Sequence, residues 1–150
     1  MDAVDRKILA ALQEDGRLTV TELAAHVGLS ISPCHRRLRE LERSGAIRGY
    51  RAVVDADALG LTFEALVFIT MRQEDRDTLM GFEAGVAAIP HVVQAQRLFG
   101  DPDYLLRIVT TDLAAYQRLQ DEKLSVLPGV QRMTSTLVMK KVVNDRPLPA

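Results

Sequence analysis

The sequence predicts an α+β protein, in which three helices and a hairpin precede a β-α-β-β-α-β unit. Two observations support this prediction. Over the first 45 residues, apolar positions recur at helical spacing and are separated by helix caps. After residue 63, runs typical of strands alternate with helical runs and are bounded by Gly, Pro and Asp. The 150 residues are enough for one ordinary domain or two small ones.

Composition limits the possible classes of protein. Apolar residues make up 47% of the chain and charged residues 26%, a mixture typical of soluble globular proteins. No apolar run is long enough for a membrane span, and the N-terminus lacks a secretory signal. The single cysteine fits a reducing compartment, so we expect a cytoplasmic protein with no membrane partner. With a net charge of −1, nucleic-acid binding would have to depend on a local basic patch.

The first two helices have recognisable ends. Asp2 is placed to cap a helix with apolar residues every fourth position, and that helix should end at Asp15-Gly16. Thr19 and Glu22 have the spacing of a capping box, in which each side chain satisfies the other residue's backbone N–H. Gly28 supplies the left-handed residue that ends this second helix.

A third helix follows after only a few residues. Ser30 or Ser32 caps it, and Pro33 is tolerated in its first turn. Two helices joined by so short a turn form a helix-turn-helix. The next stretch, "AIRGYRAVVD", predicts two short strands around a turn at Arg48-Gly49, which would form a wing. The prediction is a winged helix-turn-helix over 1–54, followed by a linker over 55–63.

The rest of the chain predicts a ferredoxin-like domain over 64–143, with a loose tail over 144–150. Its strands are "EALVFITM", "HVVQAQRLF", "DYLLRIVTT" and "QRMTSTLVMKKVV", and its helices are "EDRDTLMGFEAGVAAI" and a run from Asp112 to about Val126. The stretch from Ala65 to Ile69 is continuously apolar, as in strands that are covered on both faces. Two helices cover only one face of a four-stranded sheet, so we expect a second copy of the chain to cover the other.

The third helix concentrates positive charge. From residue 32 to residue 51 the chain carries six arginines and only two acidic residues. Placing Cys34, Leu38 and Leu41 inward turns polar side chains outward. These are Ser32, Arg36, Arg39 and Arg43, with His35 beside them, and all but Arg43 are candidates for contacts to base edges. A recognition helix in the major groove needs such donors, because guanidinium groups pair with phosphates and guanine edges. The prediction is therefore a DNA-binding surface.

Three further arginines belong to this prediction. Arg37 lies near the core edge, where its head can reach a phosphate or an acidic side chain. Arg48 and Arg51 in the predicted hairpin would flank the site and contact the DNA backbone. The alternative is a solvated surface helix with an Arg36–Glu40 pair. The capped helix before it, the short turn and the basic hairpin after it favour DNA.

Several spaced motifs resemble those of the Lrp/AsnC, or feast/famine, regulators. They are "DRKIL", "DGRLTVTELAAHVGLS", "SPCHRRLRELERSGAIRGYRAVVD" and "GDPDYLL". The resemblance covers essentially the whole chain. It implies a transcription regulator with a winged helix-turn-helix and a small domain that assembles dimers, often rings of four dimers. It also implies that an amino-acid effector binds at contacts between dimers.

The same resemblance implies an effector site at the turn between the second and third strands. The implied residues are Gly100, Asp101, Asp103 and Tyr104 in the turn, with Thr134 and Thr136 on the last strand. Arg97 and Leu113 fall where family members vary with effector choice. Physically, glycine allows a ligand close to the backbone, and a carboxylate pairs with an α-ammonium group. Without the resemblance, "GDPDY" would be interpreted as an ordinary tight turn.

Other functions have less support. Asp101 and Asp103 are two carboxylates with no third ligand or general base beside them, so we expect no enzyme. The histidines lack partners at metal-ligand spacing and no phosphate-binding loop is present, so we expect neither metal nor cofactor. Two alternatives to a sequence-specific regulator stay open. They are an architectural protein that compacts DNA with little sequence preference, and an enzyme built on the C-terminal domain.

Overall fold

The computed structural model describes all 150 residues, and they divide into two compact units. One unit contains residues 1–53 together with 142–150, and the other contains residues 54–141. Each unit has its own apolar core. No helix is long and apolar enough to cross a membrane.

The first unit is built on three helices, as predicted. They are α1 (Ala3–Glu14), α2 (Val20–Val27) and α3 (Ile31–Arg43). Asp2 caps α1, and Thr19 forms the predicted capping box with Glu22 at the start of α2. Gly28 ends α2 at φ 74°, a conformation that favours glycine. Ser30 occupies the cap position of α3 but makes no side-chain capping hydrogen bond.

The two strands predicted for the wing are not formed. No residue from 46 to 55 lies in a strand, and the backbone here is irregular after the Ile47 N–H bonds the Leu41 carbonyl. An isolated two-stranded hairpin is marginal in water unless an apolar face packs on something. Val53 and Val54 are largely exposed and supply no such packing.

The second unit contains a four-stranded antiparallel sheet. Its elements are β1 (Phe63–Met71), α4 (Arg76–Ala87), β2 (Val92–Arg97), β3 (Tyr104–Thr110), α5 (Leu113–Leu119) and β4 (Val130–Leu137). The strand order is β2-β3-β1-β4, and each neighbouring pair is antiparallel. The predicted β-α-β-β-α-β order is confirmed.

Two ends in the second unit differ from the prediction. The α-helix α5 ends at Leu119, and a π-helical turn follows it over Gln120–Leu124. The helical segment therefore ends before Val126, where the prediction had placed its end. β4 ends at Leu137 rather than Val143, although β1 extends to Phe63. The last ladder pair joins Leu137 to Ala65, and the Val138 N–H still donates to the Glu64 carbonyl.

The tail, expected to be loose, is anchored on the first unit. The Gln13 amide donates to the Leu148 carbonyl at 3.0 Å and accepts from the Leu148 N–H at 2.7 Å. No local pattern predicts this contact, because the two residues are 135 positions apart.

The two faces of the sheet differ in burial. On the helix-covered face, Ala65, Val67 and Ile69 of β1 have no exposed surface. On the other face, Leu66 and Phe68 are only half-buried, and the chain itself places no helix over them. This second face is called the open face below.

Candidate functional site

The outward face of α3 is basic, as predicted. Cys34 has no exposed surface and Leu41 is buried, so this side of α3 packs on the core. Burial raises the pKa of the Cys34 thiol, which therefore stays protonated and packs as a small apolar group. The opposite face is exposed and carries Ser32, His35, Arg36, Arg39 and Arg43.

Ion pairing within α3 leaves Arg36 available. Glu40 pairs with Arg43, at 2.6 Å between Arg43 Nη2 and Glu40 Oε1, and not with Arg36 as the surface-helix alternative supposed. Arg36 makes no ion pair or hydrogen bond. Arg39 donates only a long hydrogen bond, 3.4 Å, to His35 Nε2. Two guanidinium groups on this face can thus accept new partners.

Arg37 has a different role from its neighbours. Its Nη1 lies 2.7 Å from Asp2 Oδ2 and 2.8 Å from Asp5 Oδ1, at the N-terminus of α1. Of the two partners the sequence left open, the structure favours the acidic one. Hydrogen bonds to Asp5 and then Asp2 raise the pKa of Arg37. In the structure Arg37 holds α3 against α1, and its assignment to DNA binding stays a prediction.

Arg48 and Arg51 follow α3 on the irregular segment. Both side chains are exposed, and neither makes an ion pair or hydrogen bond. Although the hairpin is absent, the segment predicted to form the wing thus presents the unpaired guanidinium groups of Arg48 and Arg51.

The turn between β2 and β3 is braced by Asp103. Its carbonyl accepts from the Leu98 N–H, its N–H donates to the Ile69 carbonyl, and its Oδ2 accepts from the Met71 N–H at 2.6 Å. One carboxylate oxygen of Asp103 thus supports the turn, and the assignment of Asp103 to the effector stays a prediction. Gly100, at φ 147°, gives the turn its shape.

A cleft of about 260 Å³ lies beside this turn on the open face. It is lined by Phe68, Thr70, Asp101, Pro102, Arg132 and Thr134. Asp101 and Thr134 were predicted from the sequence, whereas Phe68, Thr70 and Arg132 were missed. Alternate residues of a strand point to the same face, so the sequence could have predicted that Arg132 lies beside Thr134. The cleft therefore combines a carboxylate, a guanidinium and two hydroxyl groups.

The remaining predicted residues are not all brought to this cleft. Thr136 is on the same face but two residues further along β4, opposite Leu66. Tyr104 is buried on the helix-covered face, where its hydroxyl donates to Glu83 Oε1 at 2.8 Å. Burial, followed by that hydrogen bond, raises the pKa of Tyr104. Leu113 follows the far end of β3 from the turn. The predicted effector set is thus divided between two faces.

Comparison with known proteins decides the family. Residues 64–148 match the family model for the Lrp/AsnC ligand-binding domain, and residues 1–48 match a winged helix-turn-helix DNA-binding model. The chain belongs to the Lrp/AsnC family. A leucine-responsive regulatory protein from Rhizobium meliloti is 40% identical over 142 residues, 95% of this chain and 91% of the relative. A Bkd operon transcriptional regulator from Pseudomonas aeruginosa is 39% identical over 143 residues, 95% and 94% of the two chains.

The Lrp/AsnC fold is also seen in solved structures. A transcriptional regulator from Neisseria meningitidis, crystallised with L-Met, matches with a TM-score of 0.94 and 37% identity over 99% of this chain and 96% of that one. This Lrp/AsnC protein is accordingly a transcription regulator with a DNA-binding unit and a ligand-binding unit.

Proposed function

We propose that this Lrp/AsnC regulator reads operator DNA with α3 and changes its assembly when an amino acid binds beside the β2–β3 turn. The observation that carries the proposal is the outward face of α3, where Arg36 and Arg39 stand exposed without a carboxylate partner. The protein acts in the cytoplasm, without enzymatic activity and without a metal or organic cofactor.

We assign the basic residues to two kinds of DNA contact, to base edges and to phosphates. Arg36 and Arg39, with Ser32 and His35, lie where base edges would be met if α3 enters the major groove. Arg48 and Arg51 have exposed, unpaired cations suited to phosphates, which supply affinity without reading sequence. Two copies would place two α3 helices in successive major grooves, so the operator is expected to be roughly palindromic.

Operator binding by two variants tests this division. Arg39→Ala should weaken operator binding by about 1–3 kcal/mol and relax preference at one base position. Arg48→Ala should weaken binding to all DNA sequences about equally and reduce the dependence of binding on salt concentration. Unchanged operator affinity in Arg39→Ala would contradict the proposed facing of α3. Equal footprints on random and operator DNA would instead support the architectural alternative.

The effector part of the proposal depends on the cleft beside the turn. Asp101 is suited to an α-ammonium group and Arg132 to an α-carboxylate, while Thr70 and Thr134 offer hydroxyl groups. The Neisseria relative, crystallised with L-Met, supports an amino acid as the class of ligand. Such a ligand switches the protein only if it binds one assembly more tightly than another.

A thermal-shift screen of the twenty amino acids tests this part. A ligand present at 100 times its Kd stabilises the fold by about 2.7 kcal/mol and so raises the melting temperature. Asp101→Asn and Arg132→Gln should each reduce the shift given by the best amino acid. Asp112→Asn is a control, because Asp112 caps α5 away from the cleft. If the amino acid still raises the melting temperature of both cleft variants as it does that of the wild type, the effector binds elsewhere.

A further inference from the structure

One large apolar side chain of the DNA-binding unit lies outside its core. Ile31, the first residue of α3, is 53% exposed and is not among the residues that pack on the core of this unit. Every other large apolar side chain of α1, α2 and α3 is buried or half-buried. Ile31 thus adds nothing to the core, and a partner that covers it gains the free energy of burying its apolar surface.

Ile31 lies at the end of α3 that would enter the major groove. In a helix-turn-helix, residues near the N-terminus of the recognition helix contact base edges. Residues four apart lie on the same side of a helix, so Ile31 neighbours His35, which is also exposed and which we assign to base edges. Ser30 precedes Ile31, is exposed, and makes no side-chain capping hydrogen bond. The first turn of α3 therefore presents one apolar side chain among polar groups that are free to meet DNA.

The major groove offers one apolar group that distinguishes the bases. Thymine carries a methyl group at C5, whereas adenine, guanine and cytosine present hydrogen-bond donors and acceptors but no methyl group. An apolar side chain packs well on that methyl group. Against another base it leaves donors or acceptors without a partner, which costs binding free energy. An exposed isoleucine at this end of α3 therefore favours thymine.

We propose that Ile31 packs on the C5-methyl group of a thymine and so selects thymine at one position of each operator half-site. The inference deepens the proposed function and rests on it, since it requires α3 to read the operator. It adds a contact of a different kind, because guanidinium groups favour guanine and phosphates whereas Ile31 favours thymine. Two copies with two-fold symmetry would read two thymines related by the dyad of the operator.

Replacing thymine by uracil tests this contact, because uracil differs from thymine only in lacking the C5-methyl group. Duplexes that bind the full wild-type chain are first selected from a random pool, and each thymine of the consensus is then replaced by uracil. At one thymine of each half-site, the replacement should weaken binding by about fourfold, the factor expected when one methyl group is lost from an apolar contact. In Ile31→Ala, the thymine and uracil duplexes should bind equally at that position.

Two variants provide matched controls. Ile31→Val keeps a branched apolar side chain and should still distinguish thymine from uracil at this position. Arg48→Ala should bind both duplexes more weakly but keep the ratio of their affinities, so that weaker binding by itself does not explain a lost preference. Ile31→Ala should keep the wild-type unfolding midpoint, because Ile31 is not part of the core.

The inference is overturned if no uracil replacement weakens wild-type binding, or if every such effect persists unchanged in Ile31→Ala. Operator binding by Arg39→Ala separates these outcomes from a failure of the proposed function. If Arg39→Ala loses affinity while uracil replacement has no effect, α3 reads the operator without Ile31. If neither change affects binding, α3 is not the helix that reads the operator, and both proposals fail.

Discussion

Neighbouring arginines of α3 have different surroundings because successive helical residues point in directions about 100° apart. Arg39 projects away from the core, whereas Arg37 reaches two carboxylates of α1. The facing of α3 could be predicted because it depends only on the spacing of Cys34, Leu38 and Leu41. The partner of Arg37 could not, because it depends on where α1 begins in three dimensions.

The role of Arg37 leads to a first prediction. Arg37→Ala should lower the midpoint of chemical unfolding, since it leaves Asp2 and Asp5 without their shared cation. In a double-mutant cycle, much of that loss should disappear when Asp2→Ala is already present. Arg36→Ala is the matched control and should unfold as the wild type does. If Arg37→Ala reduces the salt dependence of operator binding as much as Arg48→Ala does, then Arg37 contacts a DNA phosphate.

At the scale of elements, helix ends were predictable because their capping chemistry is local. Thr19, Glu22 and Gly28 act within a few residues of one another. The two strands predicted for the wing did not form, because the pairing of two strands needs a surface to pack on, which a local sequence pattern does not reveal. The cleft beside the turn was only partly predicted for a similar reason, since Phe68 reaches it through the register of β1 against β4.

The turn before β4 gives a second prediction. Gly129 has φ 75°, and a Cβ added there would clash with Thr78 Cγ2. Gly129→Ala should therefore destabilise the second unit by more than the roughly 1–2 kcal/mol of left-handed backbone strain. Gly60→Ala is the control, because Gly60 has φ 72° with nothing within 4 Å of the added Cβ. Equal free energies of unfolding for the two variants would show that the turn relaxes around Thr78.

The junction of β1 with its neighbours gives a third prediction, on pH. Arg107 first, and then Lys141, hold the pKa of Glu64 below its ordinary value. A carboxyl group with a lowered folded-state pKa stabilises the protein above its unfolded pKa of about 4.3, and that stability is lost as the pH falls through the folded value. Glu64→Gln should thus be less stable than wild type at neutral pH, and the difference in denaturant midpoint should shrink towards pH 3. A difference that stays constant with pH would mean that packing, not charge, is the cause.

At the scale of the whole molecule, the open face of the sheet indicates assembly. Leu66 and Phe68 are half-buried on this face, while the alternate residues of β1 are fully buried on the other. The sequence predicted that both faces are covered, because five consecutive apolar residues in a strand are typical of a sheet that is buried on both sides. We propose that a second copy of the chain covers the open face, which brings two α3 helices onto one operator.

The last prediction tests this dimer through Leu66→Glu. The new carboxylate would lose its hydration in the dimer, opposite an Arg107 that is already paired with Glu64, but it stays hydrated in the monomer, so it opposes association more than folding. Light scattering should give twice the 16.6 kDa chain mass for the wild type and a single chain mass for the variant. Operator affinity should fall by about a hundredfold or more, because the second half-site contact is no longer tethered to the first. Val126→Glu, at a residue that is 71% exposed outside the sheet, should remain dimeric and bind as before. A Leu66→Glu protein that keeps the wild-type mass would show that the copies meet at some other surface.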